Sequence, residues 1–131
     1  MLFTRENDYA VRILRALANG EIANVQTIAE KEELTVSITY KLARKLEKSG
    51  LLLSYRGVNG GYALAKPAEE LTLYEVFEKV DANLLITECL EHGYSCPLNS
   101  DTKPCGVHQE FCRIQQIVNK ELKAKRLTDL I

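Results

Sequence analysis

Tryptophan is absent from this chain of 131 residues, which holds only three phenylalanines, three prolines and one methionine. With 46% hydrophobic residues it can bury a core, and that core must be largely aliphatic. The length fits one domain of ordinary size, or a small domain with an appended helix. No apolar run approaches the ~18 residues needed to span a bilayer. The start Thr4-Arg5-Glu6-Asn7-Asp8 offers no apolar h-region and no small-residue cleavage site. A cytoplasmic protein without membrane contact is expected, in a compartment where thiols stay reduced. Catalytic sets are missing too. Two histidines (His92 and His108), no Cys-x-x-Cys and no Ser-His-Asp set leave little to catalyse with, so an enzyme is not expected.

Net charge is only −1, but its distribution is uneven. From Thr35 to Lys66 six basic residues (Lys41, Arg44, Lys45, Lys48, Arg56, Lys66) face one acid, Glu47. From Pro67 to Pro104 eight acids, Asp81 and Glu88 among them, face only Lys79 and Lys103. One basic segment in a neutral chain is the usual electrostatic footprint of DNA binding, although a solvated helix face gives the same count.

Periodicity puts that segment on a scaffold. Ala10, Ile13, Leu14 and Leu17 recur at helical spacing, predicting a first helix from about Asn7 to Asn19, stopped by Gly20. Asn24 is the expected N-cap of a short second helix that turns Ile28 and Ala29 inward and runs to about Glu32. Thr35 caps a third, with Ile38, Leu42 and Leu46 as its buried stripe and Ser37, Tyr40, Lys41 and Arg44 on the polar face. Gly50 ends it. Two helices joined by a tight turn, the second with a basic outer face, make a helix-turn-helix whose second helix enters a major groove.

Leu51 to Tyr55 and Tyr62 to Leu64 read as two short strands around the turn Arg56-Gly57-Val58-Asn59-Gly60-Gly61. This predicts a β-hairpin wing with Arg56 at its base, in reach of a phosphate or minor groove. A phosphate-binding loop is not expected, because no Lys-Ser/Thr pair follows and the glycines open no helix. Thr72 and Glu75 form an expected capping box for a helix carrying Leu73, Val76, Phe77 and Val80. Val107, Phe111, Ile114, Ile117, Val118 and Leu122 mark an amphipathic helix to about Arg126, read as pairing with a second copy. The expected fold is thus mostly α with a small β-hairpin wing. It divides into a winged helix-turn-helix at 1–82, a cysteine-rich loop at 83–106, and a dimerisation helix and tail at 107–131.

Four cysteines (Cys89, Cys96, Cys105 and Cys112) fall within 24 residues, and none precedes them. In a reducing compartment such a cluster is more often metal-binding or redox-active than disulfide-forming. The spacing Cys89-x6-Cys96-x8-Cys105 fits neither a zinc knuckle nor the ferredoxin patterns. His108 follows Cys105 by three residues and Cys112 follows His108 by four, so all three share a face of any helix that begins near Cys105. Reduced small residues in a loop are the bland reading, although this segment offers little core to fill.

Asp8-Tyr9-Ala10-Val11-Arg12, the wing Arg56 to Leu64, Leu73-Tyr74-Glu75-Val76 to Asp81, and Leu127-Thr128-Asp129-Leu130 resemble the IscR/NsrR/CymR family of bacterial winged-helix regulators. The likeness covers essentially the whole chain. It implies a homodimer on operator DNA, built on the long C-terminal helix. Many members carry an iron-sulfur cluster whose state sets DNA affinity. It implies base-edge contacts from Ser37, Tyr40 and Lys41, with Arg56 supporting the groove or backbone. Tyr40 stands where some members carry an acid that tunes site choice. Counting back from the closing motif puts Cys105 at the last cluster cysteine, with Cys89 and Cys96 as the others. His108 matches the histidine ligand of 2Fe-2S members, and Asp8 matches a carboxylate that reaches a 4Fe-4S cluster from the other subunit. The 2Fe-2S form with His108 is placed ahead of the 4Fe-4S form. Cys112 departs from the common pattern and would make the site all-cysteine. A zinc-binding or directly thiol-sensing regulator is the alternative, and a CymR-like role under a partner enzyme has no need of the cysteines.

Overall fold

The computed structural model of the chain describes residues 3–81 and 83–131. Three helices come first: α1 (Arg5–Ala16), α2 (Val25–Glu32) and α3 (Val36–Lys48). The strands β1 (Leu52–Tyr55) and β2 (Gly61–Leu64) follow, then α4 (Leu73–Val80) and α5 (Gly106–Ala124). Single 3-10 turns cover Ala68–Glu70, Glu88–Leu90 and Leu127–Leu130.

Side chains that satisfy orphan amides fix four helix starts. Thr4, Asn24, Thr35 and Thr72 each accept a hydrogen bond from the backbone N–H three residues on, at 2.8 to 3.3 Å. The expected capping box at α4 is only half made. The Glu75 carboxylate pairs with Lys66 at 2.5 Å. α1 begins earlier than its apolar pattern suggested, because Thr4 caps it, and regular helix ends at Ala16, short of Gly20.

The core is aliphatic, as expected: Ile13, Leu14, Leu17, Ile28, Leu42, Leu46, Leu52, Leu71 and Val76 are all nearly inaccessible. One expectation for α3 needs correcting. Its buried face is Thr39, Leu42, Ala43 and Leu46, with Ile38 only half-buried. Thr39 takes the inward place because its hydroxyl donates to the Thr35 carbonyl at 2.8 Å, which removes the cost of burying it. The helix-turn-helix is further clamped by Glu32, whose side chain is only 5% exposed. Arg15 donates to both its oxygens, at 3.1 and 2.5 Å, and Arg12 donates to its backbone carbonyl. The side-chain hydrogen bonding to Glu32 holds the Arg15 guanidinium above its ordinary pKa.

The wing pairs antiparallel in the register Leu52↔Leu64 to Tyr55↔Gly61. A third segment joins it where Ala23 and Tyr62 exchange N–H···O bonds of 3.0 and 2.8 Å. This close approach explains Gly61, whose φ is +149° and whose missing Cβ would lie 2.2 Å from the Ala23 carbonyl oxygen. Gly61→Ala is expected to cost about 2 kcal/mol or more, from backbone strain plus that collision. A thermal melt should fall by several degrees, and an unchanged melting temperature would refute the packing described.

α5 is less buried than the helices before it. Its regular part stops at Ala124, and only Gln115 and Leu122 on it are buried. Phe111, Ile114 and Val118 are half-buried, while Val107 and Ile117 are 61% and 47% exposed. Beyond α5 the chain returns to the body. Leu73 N–H donates to the Lys125 carbonyl at 3.0 Å, Leu127 N–H donates to the Leu71 carbonyl at 2.8 Å, and Leu127 is buried. No helix among the described residues is long and apolar enough to cross a membrane.

Candidate functional site

Two regions gather the side chains singled out above. The first is the outer face of α3 with the wing. Ser37, Tyr40, Lys41, Arg44 and Arg56 are all exposed, the first four on one helix whose opposite side is locked into the core. Tyr40 and Arg44 lie one turn apart and act on each other. The guanidinium carbon sits 5.9 Å from the ring centroid, and Nη1 lies 3.4 Å from the phenol oxygen. Such a contact narrows the rotamers of a long cation without removing its charge.

Lys45 and Lys48, not singled out as site residues, extend the same basic surface beside Lys41. Lys45 is partly spent, because Glu6 of α1 takes its ammonium at 2.7 Å. Below this face lies Tyr62, whose hydroxyl is held above its usual pKa by burial and then by Glu47. Glu47 itself accepts from the Ser54 hydroxyl at 3.0 Å, which ties the end of α3 to the wing.

The second region is a cavity of about 640 Å³ at the start of α5. Cys89, Cys96, Cys105 and His108 all line it, walled by Tyr94, Leu98 and Phe111 among others. All four cysteines are free thiols and half-buried. Each donor comes from a different local structure. Cys89 sits in the 3-10 turn after α4, Cys96 in a tight turn, Cys105 at the N-cap of α5, and His108 in its first turn. Among the described residues no three His, Cys, Asp or Glu side chains converge on one metal-ion position.

Cys105 is therefore the residue before α5, and Cys112 does not line the cavity. The Cys112 sulfur instead lies 3.5 Å from His108 Nε2, one turn along the helix. His108 Nδ1 is buried and has no hydrogen-bond partner. Asp8 lies elsewhere on the molecule, on α1, where it pairs with Arg12 at 3.5 Å.

Two residues that sequence reasoning missed hold this region together. Asn99 donates its N–H to the Cys96 carbonyl at 3.0 Å and accepts from the Cys105 N–H at 2.8 Å, so one turn residue spaces two thiols. Its signal was the Pro97-Leu98-Asn99-Ser100-Asp101 turn composition. Gln115 pins the chain leading to Cys89. Its side-chain carbonyl accepts from Ile86 N–H at 2.8 Å, and its amide donates to the Leu84 carbonyl and to Asn119 at 3.0 and 2.9 Å. Nothing in the sequence separates this glutamine from the solvent-facing ones beside it. Gln115→Ala is expected to leave those backbone groups unpaired, at a cost of about 1–3 kcal/mol. Hydrogen exchange at Ile86 should accelerate, and unaltered protection there would show that the pin carries no weight.

Residues 3–131 match the Rrf2 family, described as iron-dependent transcriptional regulators. Among curated relatives, the protein aau3 of Rhizobium meliloti is 31% identical over 100% of this chain and 85% of its own length. The HTH-type transcriptional regulator NsrR of Oceanobacillus iheyensis is 30% identical, covering 95% of this chain and 80% of its own. Among solved structures, CymR, the global cysteine regulator of B. subtilis, superposes with a TM-score of 0.79 at 21% identity, over 99% and 95% of the two chains. IscR of T. potens gives 0.74 at 20% identity, over 99% and 85%. These two likenesses show the winged-helix fold.

Proposed function

The chain belongs to the Rrf2 family of winged-helix transcriptional regulators, and from that premise we propose a cytoplasmic, homodimeric DNA-binding regulator whose operator affinity follows the state of an iron-sulfur cluster. The observation that carries this reading is the shared cavity of Cys89, Cys96, Cys105 and His108. The donor set fits such a group. Three thiols and an imidazole are the soft and borderline ligands that iron-sulfur clusters take. The description of the family as iron-dependent favours iron over a single zinc ion, which the same four donors would also suit. When bound, the cluster supplies a redox- and nitric-oxide-sensitive centre, with 2Fe-2S and His108 placed ahead of 4Fe-4S and Asp8 of the partner subunit.

The chain's own residues do the rest. Cys89 hangs from the segment after α4, and Cys105 stands at the start of α5. Holding both at one group staples these two stretches across the turns between them. α5 is bonded to the body through Gln115 and through its exit at Lys125 and Leu127, so a change in its setting reaches α4 and the segments on either side of it. A second copy seated on the half-exposed α5 stripe would carry that change into the spacing of two α3 helices on DNA. In this division of labour residues 1–82 bind DNA, 83–106 hold the cluster and 107–131 pair the subunits. Ser37, Tyr40 and Lys41 read base edges, while Arg44 and Arg56 add base or phosphate contacts. Ile117→Asp is expected to shift the protein toward monomer in analytical ultracentrifugation while leaving helical content intact. A variant as dimeric as the parent would remove α5 from the interface.

Anaerobic purification followed by a visible spectrum, with iron, sulfide and zinc assayed on one sample, tests the cofactor. Brown protein with matched iron and sulfide is expected. Colourless protein with one zinc per chain would replace the cluster with a structural ion, and metal-free protein that resists reconstitution would leave direct thiol sensing.

A further inference from the structure

Cys112 is the one cysteine outside the cavity wall, and its sulfur lies against the imidazole of a residue that is in it. The two nitrogens of His108 are in different situations. Nε2 is 3.5 Å from Cys112 Sγ, an ordinary N–H···S separation, whereas Nδ1 is buried with no partner. A buried ring nitrogen without a partner is destabilising unless something satisfies it.

In the ring orientation of this structure, ligation through Nδ1 satisfies both atoms. Ligation through Nε2 would break the contact with Cys112 and still leave Nδ1 orphaned. Ligation through Nδ1 uses the orphaned lone pair and leaves Nε2–H to donate to sulfur. We propose, taking His108 as the fourth ligand from the cluster reading above, that it ligates through Nδ1 and that Cys112 is a positioning residue that accepts from Nε2–H, fixing the ring and its tautomer. The thiol then plays the part that a carboxylate or backbone carbonyl commonly plays behind a metal-bound histidine. Sulfur is a weaker acceptor than either. It adds little charge to the ring, so its effect is one of orientation.

The experiment uses full-length protein reconstituted anaerobically, reduced, and carrying histidine labelled with ¹⁵N at Nδ1 alone or at Nε2 alone. Electron-nuclear double resonance should give the strong, directly bound coupling from the Nδ1 label and a weak one from Nε2. The reverse would overturn the proposal. Cys112→Val should still assemble a cluster with the parent's iron-to-sulfide ratio, but hold it 10- to 100-fold less tightly against a chelator. Cys112→Ser, which keeps an acceptor, should recover part of that loss. If Cys112→Val fails to assemble a cluster as completely as Cys105→Ala does, Cys112 is a ligand and the positioning role is wrong.

A parent chain that takes up no iron and sulfide would sink the cluster reading instead. The positioning claim is then read from the ¹⁵N shifts of His108 in metal-free protein. A parent Nε2–H tautomer that becomes mixed in Cys112→Val supports it, and identical shifts in the two proteins overturn it.

Discussion

Cys96→Ala should leave the chain folded and dimeric but unable to retain iron and sulfide, and its operator affinity should no longer respond to cluster reconstitution. Cys96 is half-buried in a tight turn and contributes nothing to the hydrophobic core. Its loss should therefore move stability by no more than about 0.5 kcal/mol, as for substitutions away from the core. The thiol is nevertheless central to the proposed site, because Asn99 links its carbonyl to the Cys105 amide. Without it, the two remaining thiols lie at opposite ends of a stretch of turns held by local hydrogen bonds alone. The parent protein should bind operator with about 5- to 150-fold different affinity in its two states. In the variant this ratio should collapse to about one. Iron and sulfide assays beside a DNA titration check both halves, and a variant whose affinity still shifts on reconstitution would separate sensing from the cysteines.

Lys41→Ala and Arg44→Ala should each weaken operator binding about 10-fold or more, whether or not the cluster is present. The reason lies in the scaffold: both side chains point from the exposed face of α3, while Thr39, Leu42, Ala43 and Leu46 hold its other side rigid. A lost base contact costs about 1–3 kcal/mol and relaxes preference at one base pair, whereas a lost phosphate contact lowers the salt dependence by about one unit. Arg44 is pre-oriented by Tyr40, so Tyr40→Ala should reproduce part of the Arg44→Ala effect. Lys45 is partly engaged by Glu6, and Lys45→Ala should cost less than either. Equal losses for Lys41, Arg44 and Lys45 would indicate a diffuse electrostatic surface in place of a reading helix.

The helix-turn-helix and the wing were legible because their signals are local. Apolar spacing, the caps Asn24, Thr35 and Thr72, and the glycines around the hairpin each act within a few residues. Where a polar side chain solved a tertiary problem, sequence reading went astray. Ile38 was read as the buried residue where Thr39, its hydroxyl on the Thr35 carbonyl, takes the inward place, and Glu32, rightly read as the end of α2, gave no local sign that Arg12 and Arg15 reach it from α1. Gln115 is the same case in the cysteine region. The α5 stripe was visible as periodicity, but periodicity cannot distinguish a face that seals a core from one left open to a neighbour. Clustering set the cysteines apart, yet their spacing did not say which of them share a wall. The folded chain puts Cys89, Cys96, Cys105 and His108 on one cavity and turns Cys112 toward the histidine behind it.

The central claim is that the cavity and the α3 face are coupled. It is tested most directly by selecting an operator from a random duplex library with the protein itself. Its affinity is then measured for cluster-loaded and cluster-free forms of one anaerobic preparation, at one salt concentration, because salt alone moves such affinities by orders of magnitude. A difference between about 5- and 150-fold is expected. Equal affinities, with the loaded form shown to hold its iron and sulfide throughout, would contradict it.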